Sequence, residues 1–464
     1  MDERFTNGNR PRRRPRSKAQ IFKESYLPVI IAGIALIFIL IFIIGSVVHS
    51  IQRKKYEQDV NEAISASIAA EQERLAQEAE ELIIRASSYA EQFDYIAAVD
   101  ALESYSGDIQ QHEILSVMLS EYTAAKESMI LWNDPNQVLN LSFQMLIADP
   151  ERAFKDATYG SSYNQNFITI DEFAAILPQL YENGYILIRM SDITDGTTAK
   201  DLYLPNGKKP LIITQTQVNY NTYMIDGDAD KLPDKDGDGF ASKLIVDENG
   251  NIACEMVDST GQTVTGNFDL VPILDAFVET HPDFSYKGAK AILAVTGYDG
   301  LFGYRTNASA AEYFDITQEI AGATKILQAL QEDGYEIACY TYGNIGYGIS
   351  DLEQIKEDLN KWNEEITPIL GSVNTLVFAR NSDISATSAA YGGEKFSILQ
   401  AAGFKHYIGF SADGNSWFTS AGDYIRQGRI PVSGSSLTYQ TEWFAGIFDP
   451  ASVLDDSRTS LPAQ

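Results

Sequence analysis

The chain has 464 residues, 44% of them hydrophobic, with 64 acidic against 35 basic side chains, four histidines and two cysteines. A net charge of −29 excludes nucleic acid and anionic membrane surfaces as partners for the bulk of the chain, because like charges repel. Two cysteines, Cys254 and Cys339, are too few for a disulfide framework, so a hydrophobic core must hold the fold.

Residues 1–25 form a basic tail. Residues 26–48 carry no charge and are long enough for the roughly 30 Å hydrocarbon core of a bilayer. Eight basic residues precede this stretch (Arg4, Arg10, Arg12, Arg13, Arg14, Arg16, Lys18 and Lys23) against three acids. The positive-inside bias then places the N-terminus in the cytoplasm and the C-terminal domain outside the cell, with residues 26–48 as an uncleaved signal anchor. Of the total of −29, the first 50 residues contribute +5, which leaves −34 on residues 51–464.

From 51 to about 92 there is no Pro or Gly, and Val60, Ile64, Ile68, Leu75, Ala79 and Leu82 recur at helical spacing, which predicts a helical stalk. Two further helices are expected over 87–105 and 111–129, broken at Ser106-Gly107-Asp108, so that residues 51–130 make a stalk and helical hairpin. From 136 to 449 short apolar runs alternate with amphipathic segments. Strands are predicted at 138–147, 185–190, 210–214, 291–295, 336–340, 375–379 and 405–410. Helices are predicted at 170–183, 270–281, 318–333, 352–369 and 394–402. Alternation of this kind argues for an α/β fold with a parallel sheet, closed as a distorted (β/α) barrel, with an open doubly wound sheet as the alternative. An acidic insertion at 226–267 reads as a β-hairpin on the barrel rim, and 450–464 as a C-terminal tail.

Several strings in this domain resemble one family. They are Leu146-Ile147-Ala148-Asp149-Pro150, Leu180-Tyr181-Glu182-Asn183-Gly184-Tyr185, Val218-Asn219-Tyr220, Asp238-Gly239-Phe240-Ala241-Ser242, Ala294-Val295-Thr296-Gly297-Tyr298, Gly303-Tyr304-Arg305-Thr306-Asn307, Gly392-Gly393-Glu394-Lys395-Phe396 and Tyr424-Ile425-Arg426-Gln427-Gly428-Arg429. Together they resemble membrane-anchored polysaccharide deacetylases of the Gram-positive type, which carry the NodB homology domain. The resemblance implies a distorted (β/α) barrel and metal-dependent removal of acetyl groups from sugars. One Asp and two His would hold the ion, a second Asp would act as base and a later His as acid.

At those positions the sequence departs from the family. The paired acids fall on Thr216 and Gln217, and the two metal-binding imidazoles on Tyr340 and Asn344; none of these can be an anionic ligand or a base at neutral pH. The Tyr-Pro-Tyr-Gly motif reads Phe378-Ala379-Arg380-Asn381. Only His281 and His406 lie in the domain, and no pair of histidines has ligand spacing, so the zinc site reads as lost. Asp234, Asp236 and Asp238 have the spacing of a calcium loop, which Asp226, Asp228 and Asp230 would supplement, but Ile245 replaces its closing glutamate; a calcium site and a plain acidic turn both stand as readings. The glycines of Gly343-Asn344-Ile345-Gly346-Tyr347-Gly348 are wrongly spaced for a phosphate loop and predict a turn at a strand's end.

The leading expectation is a non-catalytic, surface-displayed deacetylase-like protein. It would bind cell-wall polysaccharide, peptidoglycan or an envelope protein through the old cleft, with no cofactor apart from the alternative of calcium, and with Tyr340, Arg380, Trp417 and Arg426 as contacts. Tyr220, Tyr223, Tyr298, Tyr342 and Tyr347 are further aromatic candidates. Two alternatives stand beside it: an active carbohydrate deacetylase with a rebuilt site, and an envelope scaffold working through its helical stalk.

Overall fold

A computed structural model describes residues 18–132, 134–225, 237–387 and 389–461. It divides into two compact units, 1–81 and 82–464. In the first, the apolar residues Val29 to Val48 belong to the helix Leu27–Glu91 (α1). This helix contains a stretch long and apolar enough to cross a membrane. Its large side chains there are exposed, Phe42 to 78%, as expected of a helix whose solvent is lipid.

The second unit opens with the helical hairpin. The helix expected from residue 87 is interrupted sooner than predicted: Phe93 adopts φ +58°, and the Asp94 carboxylate caps a new helix, Tyr95–Glu103 (α2), by accepting from the Ala97 N–H at 3.2 Å. A non-glycine residue with positive φ cannot continue an α-helix, so the chain turns there. The return helix is Glu113–Glu127 (α3).

Seven parallel strands then close a barrel. They are Leu139–Phe143 (β1), Lys209–Thr216 (β2), Ile292–Val295 (β3), Glu336–Cys339 (β4), Thr375–Val377 (β5), His406–Phe410 (β6) and Ile425–Pro431 (β7). Each pairs with the next in sequence, and β7 closes on β1 through Ile430 opposite Leu141. The predicted alternation of strands and helices therefore yields the closed form rather than the open sheet. Two differences from the sequence reading stand out. Tyr185–Leu187 pairs with the start of β2, with one further bridge from Leu187 to Ser285, and lies outside the closed ring. β7 had no predicted strand, because Ile-Arg-Gln-Gly-Arg-Ile-Pro is polar on both faces.

Strand parity separates two cores. Ile212, Ile292, Ala294, Ala338, Tyr340, Val377, Ile408 and Ile425 point inward. Leu141, Phe143, Ile213, Leu293, Val295, Cys339, Leu376, Tyr407 and Ile430 point outward, in one apolar cluster with residues of the surrounding helices. Among these helices are Ile170–Glu182 (α4), Leu270–Thr280 (α5), Ile316–Glu332 (α6), Leu352–Lys361 (α7) and Gly393–Ala401 (α8). The barrel interior also holds a polar chain: Thr214 Oγ1 donates to Asn140 Oδ1 at 2.9 Å, and Asn140 Nδ2 donates to Gln427 Oε1 at 3.1 Å.

The described part of the insertion is not a rim hairpin. It is a three-stranded antiparallel sheet, Lys243–Val246, Ile252–Val257 and Thr263–Gly266. Leu244 and Cys254 are fully buried in the outer core, which requires the sheet to pack against the barrel's helices. Nor do residues 450–461 trail free, since Val453 is buried in that same core. Both cysteines are buried as free thiols.

His406 opens β6 at the N-terminal end of the barrel, with Nδ1 3.2 Å from Thr375 Oγ1. Burial first, and the nearby Lys405 charge second, push its pKa down to about 4. The unfolded chain, with a histidine pKa near 6.5, takes up a proton that the folded chain refuses. Stability contributed by neutral His406 is thus present above roughly pH 6.5 and lost as pH falls towards 4, on the order of 3 kcal/mol at most. Urea midpoints at pH 7 and pH 4.5 should drop less for His406→Gln than for the parent; equal drops would remove His406 as the cause. Asp275, whose carboxyl burial raises it to about 6, acts in the opposite sense and cancels between the two proteins.

Candidate functional site: the C-terminal end of the barrel

Strand ends on this side carry unusual backbone. Nine described non-glycine residues have positive φ, and six of them, Gln217, Tyr220, Thr341, Asn344, Arg380 and Asn381, follow the C-terminal ends of β2, β4 and β5. Each such residue costs on the order of 1–3 kcal/mol, and such strain persists only where surrounding contacts over-determine it, as at ligand sites.

The contacts are explicit. Thr216 Oγ1 donates to the Phe143 carbonyl at 3.2 Å. Asn219 ties the β2 loop to the β3 loop, its Nδ2 donating to Thr296 O at 2.8 Å and its Oδ1 accepting from Thr296 N–H at 2.8 Å. The glycine-rich turn after β4 is held from α7: Asp358 accepts from the N–H groups of Tyr342 and Gly343 at 2.8 and 2.7 Å and from the Tyr347 hydroxyl at 2.7 Å. Burial raises the Asp358 carboxyl above its ordinary range, against the pull of those donors.

Four sequence-predicted positions, Thr216, Gln217, Tyr340 and Asn344, share this end of the barrel. Arg380 joins them, its Nε donating to Asn344 O at 2.7 Å while its N–H approaches the Tyr340 hydroxyl at 3.4 Å. A residue not singled out from sequence sits below. Arg429 points into the barrel, 2% exposed, with Nη1 donating to Asn381 Oδ1 at 3.1 Å and Nη2 to Phe378 O at 3.0 Å. Its Nε has no partner among the described residues. Burial lowers the guanidinium pKa, and the neighbouring Tyr340 partly offsets this; such a group still remains a cation in proteins.

Trp417 and Arg426 are elsewhere. Arg426 leaves β7 on the outer face, fully buried, and its guanidinium lies 4.0 Å from the Tyr391 ring centroid and 5.1 Å from that of Trp417. Trp417 covers Gly409 and Gly428, where a Cβ on Gly428 would come within 2.1 Å of the indole nitrogen. Both therefore pack the barrel wall and do not face the cleft. Tyr220, fully buried, donates to Asp269 Oδ2 at 2.7 Å, and Tyr342 donates to Glu365 Oε2 at 2.7 Å. Tyr223 and Tyr298 do line a cavity on this side of the barrel.

A divalent metal of the kind the resemblance implies does not fit this donor set. Thr216, Gln217, Tyr340 and Asn344 offer hydroxyl and amide groups in place of carboxylate and imidazole, next to a buried cation. The two histidines are not brought together with them. His406 is at the opposite end, and His281 lies outside the barrel, stacked on Phe277 at 4.3 Å. Among the described residues no cluster of three or more His, Cys, Asp or Glu is arranged to hold a metal. Of the calcium triad, Asp234 and Asp236 lie outside the described residues, and Asp238 accepts from the Tyr163 hydroxyl at 2.5 Å.

Fold and site together define a closed, seven-stranded parallel (β/α) barrel whose strand ends carry polar and cationic groups. No family model matches the sequence, and no curated protein matches it. Among solved structures, the chain is similar to the Streptococcus pyogenes deacetylase PplD in complex with acetate, at 12% identity and a TM-score of 0.34, over 65% of this chain and 96% of that one. So distant a likeness carries no argument about activity.

Proposed function

We propose that this protein is a membrane-anchored, deacetylase-like barrel that binds cell-wall glycan at the C-terminal end of its strands and does not hydrolyse it. The carrying observation is the replacement chemistry at that end. Acetyl hydrolysis needs an activated water, hence a Lewis acid or a general base. At the positions where the resemblance expects acids and imidazoles the groups are instead Thr216, Gln217, Tyr340 and Asn344, with Arg380 and the buried Arg429 beside them. Arginines, amides and tyrosines can all bind sugar hydroxyl and acyl groups without turning over.

The test has two arms. Purified protein should release no acetate from peptidoglycan or chitooligosaccharide, with or without added zinc, yet be retained on peptidoglycan sacculi. Arg380→Ala, at an exposed position, should lower that retention severalfold. Zinc-dependent acetate release by the parent would overturn the reading.

A further inference from the structure

Beside the strand ends lies a cavity of about 350 Å³, lined among others by Thr222, Tyr223, Tyr298, Asp299, Asn307 and Tyr313. That volume falls in the usual range of about 300–1,000 Å³ for small-molecule sites. Its walls are aromatic and held in place. The Tyr298 hydroxyl donates to Asn221 Oδ1 at 2.9 Å, and the Tyr223 ring packs on Tyr159 at 5.4 Å. Tyr313 is 49% exposed, an aromatic ring left in water at the edge of a concave surface.

Two polar residues line the same space. Asn307 is 5% exposed; one end of its amide bonds to Ser309 Oγ at 2.7 Å, and the other end has no partner among the described residues. A buried amide with one end unmet is costly in an apo fold, and turning the amide over only exchanges which end is unmet. Asp299 accepts from the Thr222 N–H at 2.6 Å and the Thr222 hydroxyl at 2.8 Å. Those two bonds use about half of a carboxylate's roughly four acceptor sites. Arg305 stands 3.9 Å from the carboxylate, so the pair is close to neutral and offers an acceptor rather than a free charge.

We infer that this cavity is a subsite for one neutral pyranose ring, whose C–H face stacks on the tyrosines while its hydroxyls bond to Asp299 and the free end of the Asn307 amide. Aromatic faces take the apolar side of a sugar, and acceptors at the edge take its hydroxyls. The inference rests on the glycan-binding reading and adds the place and class of the sugar.

Full-length protein in a polyoxyethylene detergent, which carries no sugar headgroup, would be titrated calorimetrically with cellotetraose and with fully N-acetylated chitotetraose. At least one should bind saturably. Tyr313→Ala, a surface change, and Asn307→Ala should each weaken it about tenfold or more, while Tyr313→Trp should retain it. If the protein is retained on sacculi but neither tetraose binds, or if binding ignores both alanine variants, the inference falls and the glycan-binding reading stands. If sacculi do not retain the protein either, both fall.

Discussion

Replacing Arg426 with alanine should destabilise the barrel by about 3–5 kcal/mol, the cost of removing one partner of a buried ion pair. The guanidinium is wholly buried, 2.8 Å from Asp383 Oδ2, whose side chain is 11% exposed. It also donates to the carbonyls of Ala386, at 3.1 Å, and Ala389, and it is flanked by the rings of Tyr391 and Trp417. Its loss strands a carboxylate against the barrel wall with the Tyr391 hydroxyl, at 2.8 Å, as its nearest remaining donor. It also opens a gap between two aromatic rings. Against a net stability of typically 5–15 kcal/mol, this is a large fraction. A urea midpoint within experimental error of the parent would show that Arg426 is not structural. Arg426→Met combined with Asp383→Asn should recover much of the loss, because removing both charges avoids the unpaired carboxylate. Glycan retention per folded molecule should not change, which separates this residue from a ligand contact.

Much of the barrel is legible in the sequence because its strands are short apolar runs between amphipathic helices. Six of the seven predicted strands overlap members of the ring, and the predicted helix at 170–183 is found as Ile170–Glu182. Thr169 and Glu172 cap it reciprocally, a pattern that sequence carries locally. What failed to show depends on partners far along the chain. β7 looks polar because its arginines find their partners only in the folded chain, Arg426 with Asp383 and Arg429 with Phe378 O and Asn381 Oδ1. Arg426, one of four contacts expected from sequence, faces outward while Arg429 faces inward, since residues three apart on a strand face opposite sides. The sugar-sized cavity draws on loops around 222, 298 and 307, and no local pattern announces such a convergence. The insertion reads as a rim hairpin in sequence because its Leu244 and Cys254 find their cover only in the folded chain.

Glu172 is expected to be as sensitive as Arg426, for a reason that begins at the other end of the chain. Its side chain is fully buried and meets Arg458 at 2.5 Å through both carboxylate oxygens. The same carboxylate accepts from the Thr169 N–H at 2.8 Å, closing the cap of α4, and from the Asp455 N–H at 3.0 Å. Arg458 in turn donates to the carbonyls of Asn164 at 2.7 Å and Phe167 at 2.9 Å. One bidentate pair thus joins the start of α4, the preceding turn and the last described segment of the chain. Glu172→Ala should cost about 3–5 kcal/mol, because Arg458 keeps its burial but loses its counter-charge. Ending the chain after Leu454 should destabilise by a similar amount, leaving Glu172 as the unpaired member. Contacts shared by two changes do not add, so guanidinium unfolding of the double variant should show far less than the sum of the two losses. Strict additivity would mean that the terminal segment does not rest on Glu172 in solution.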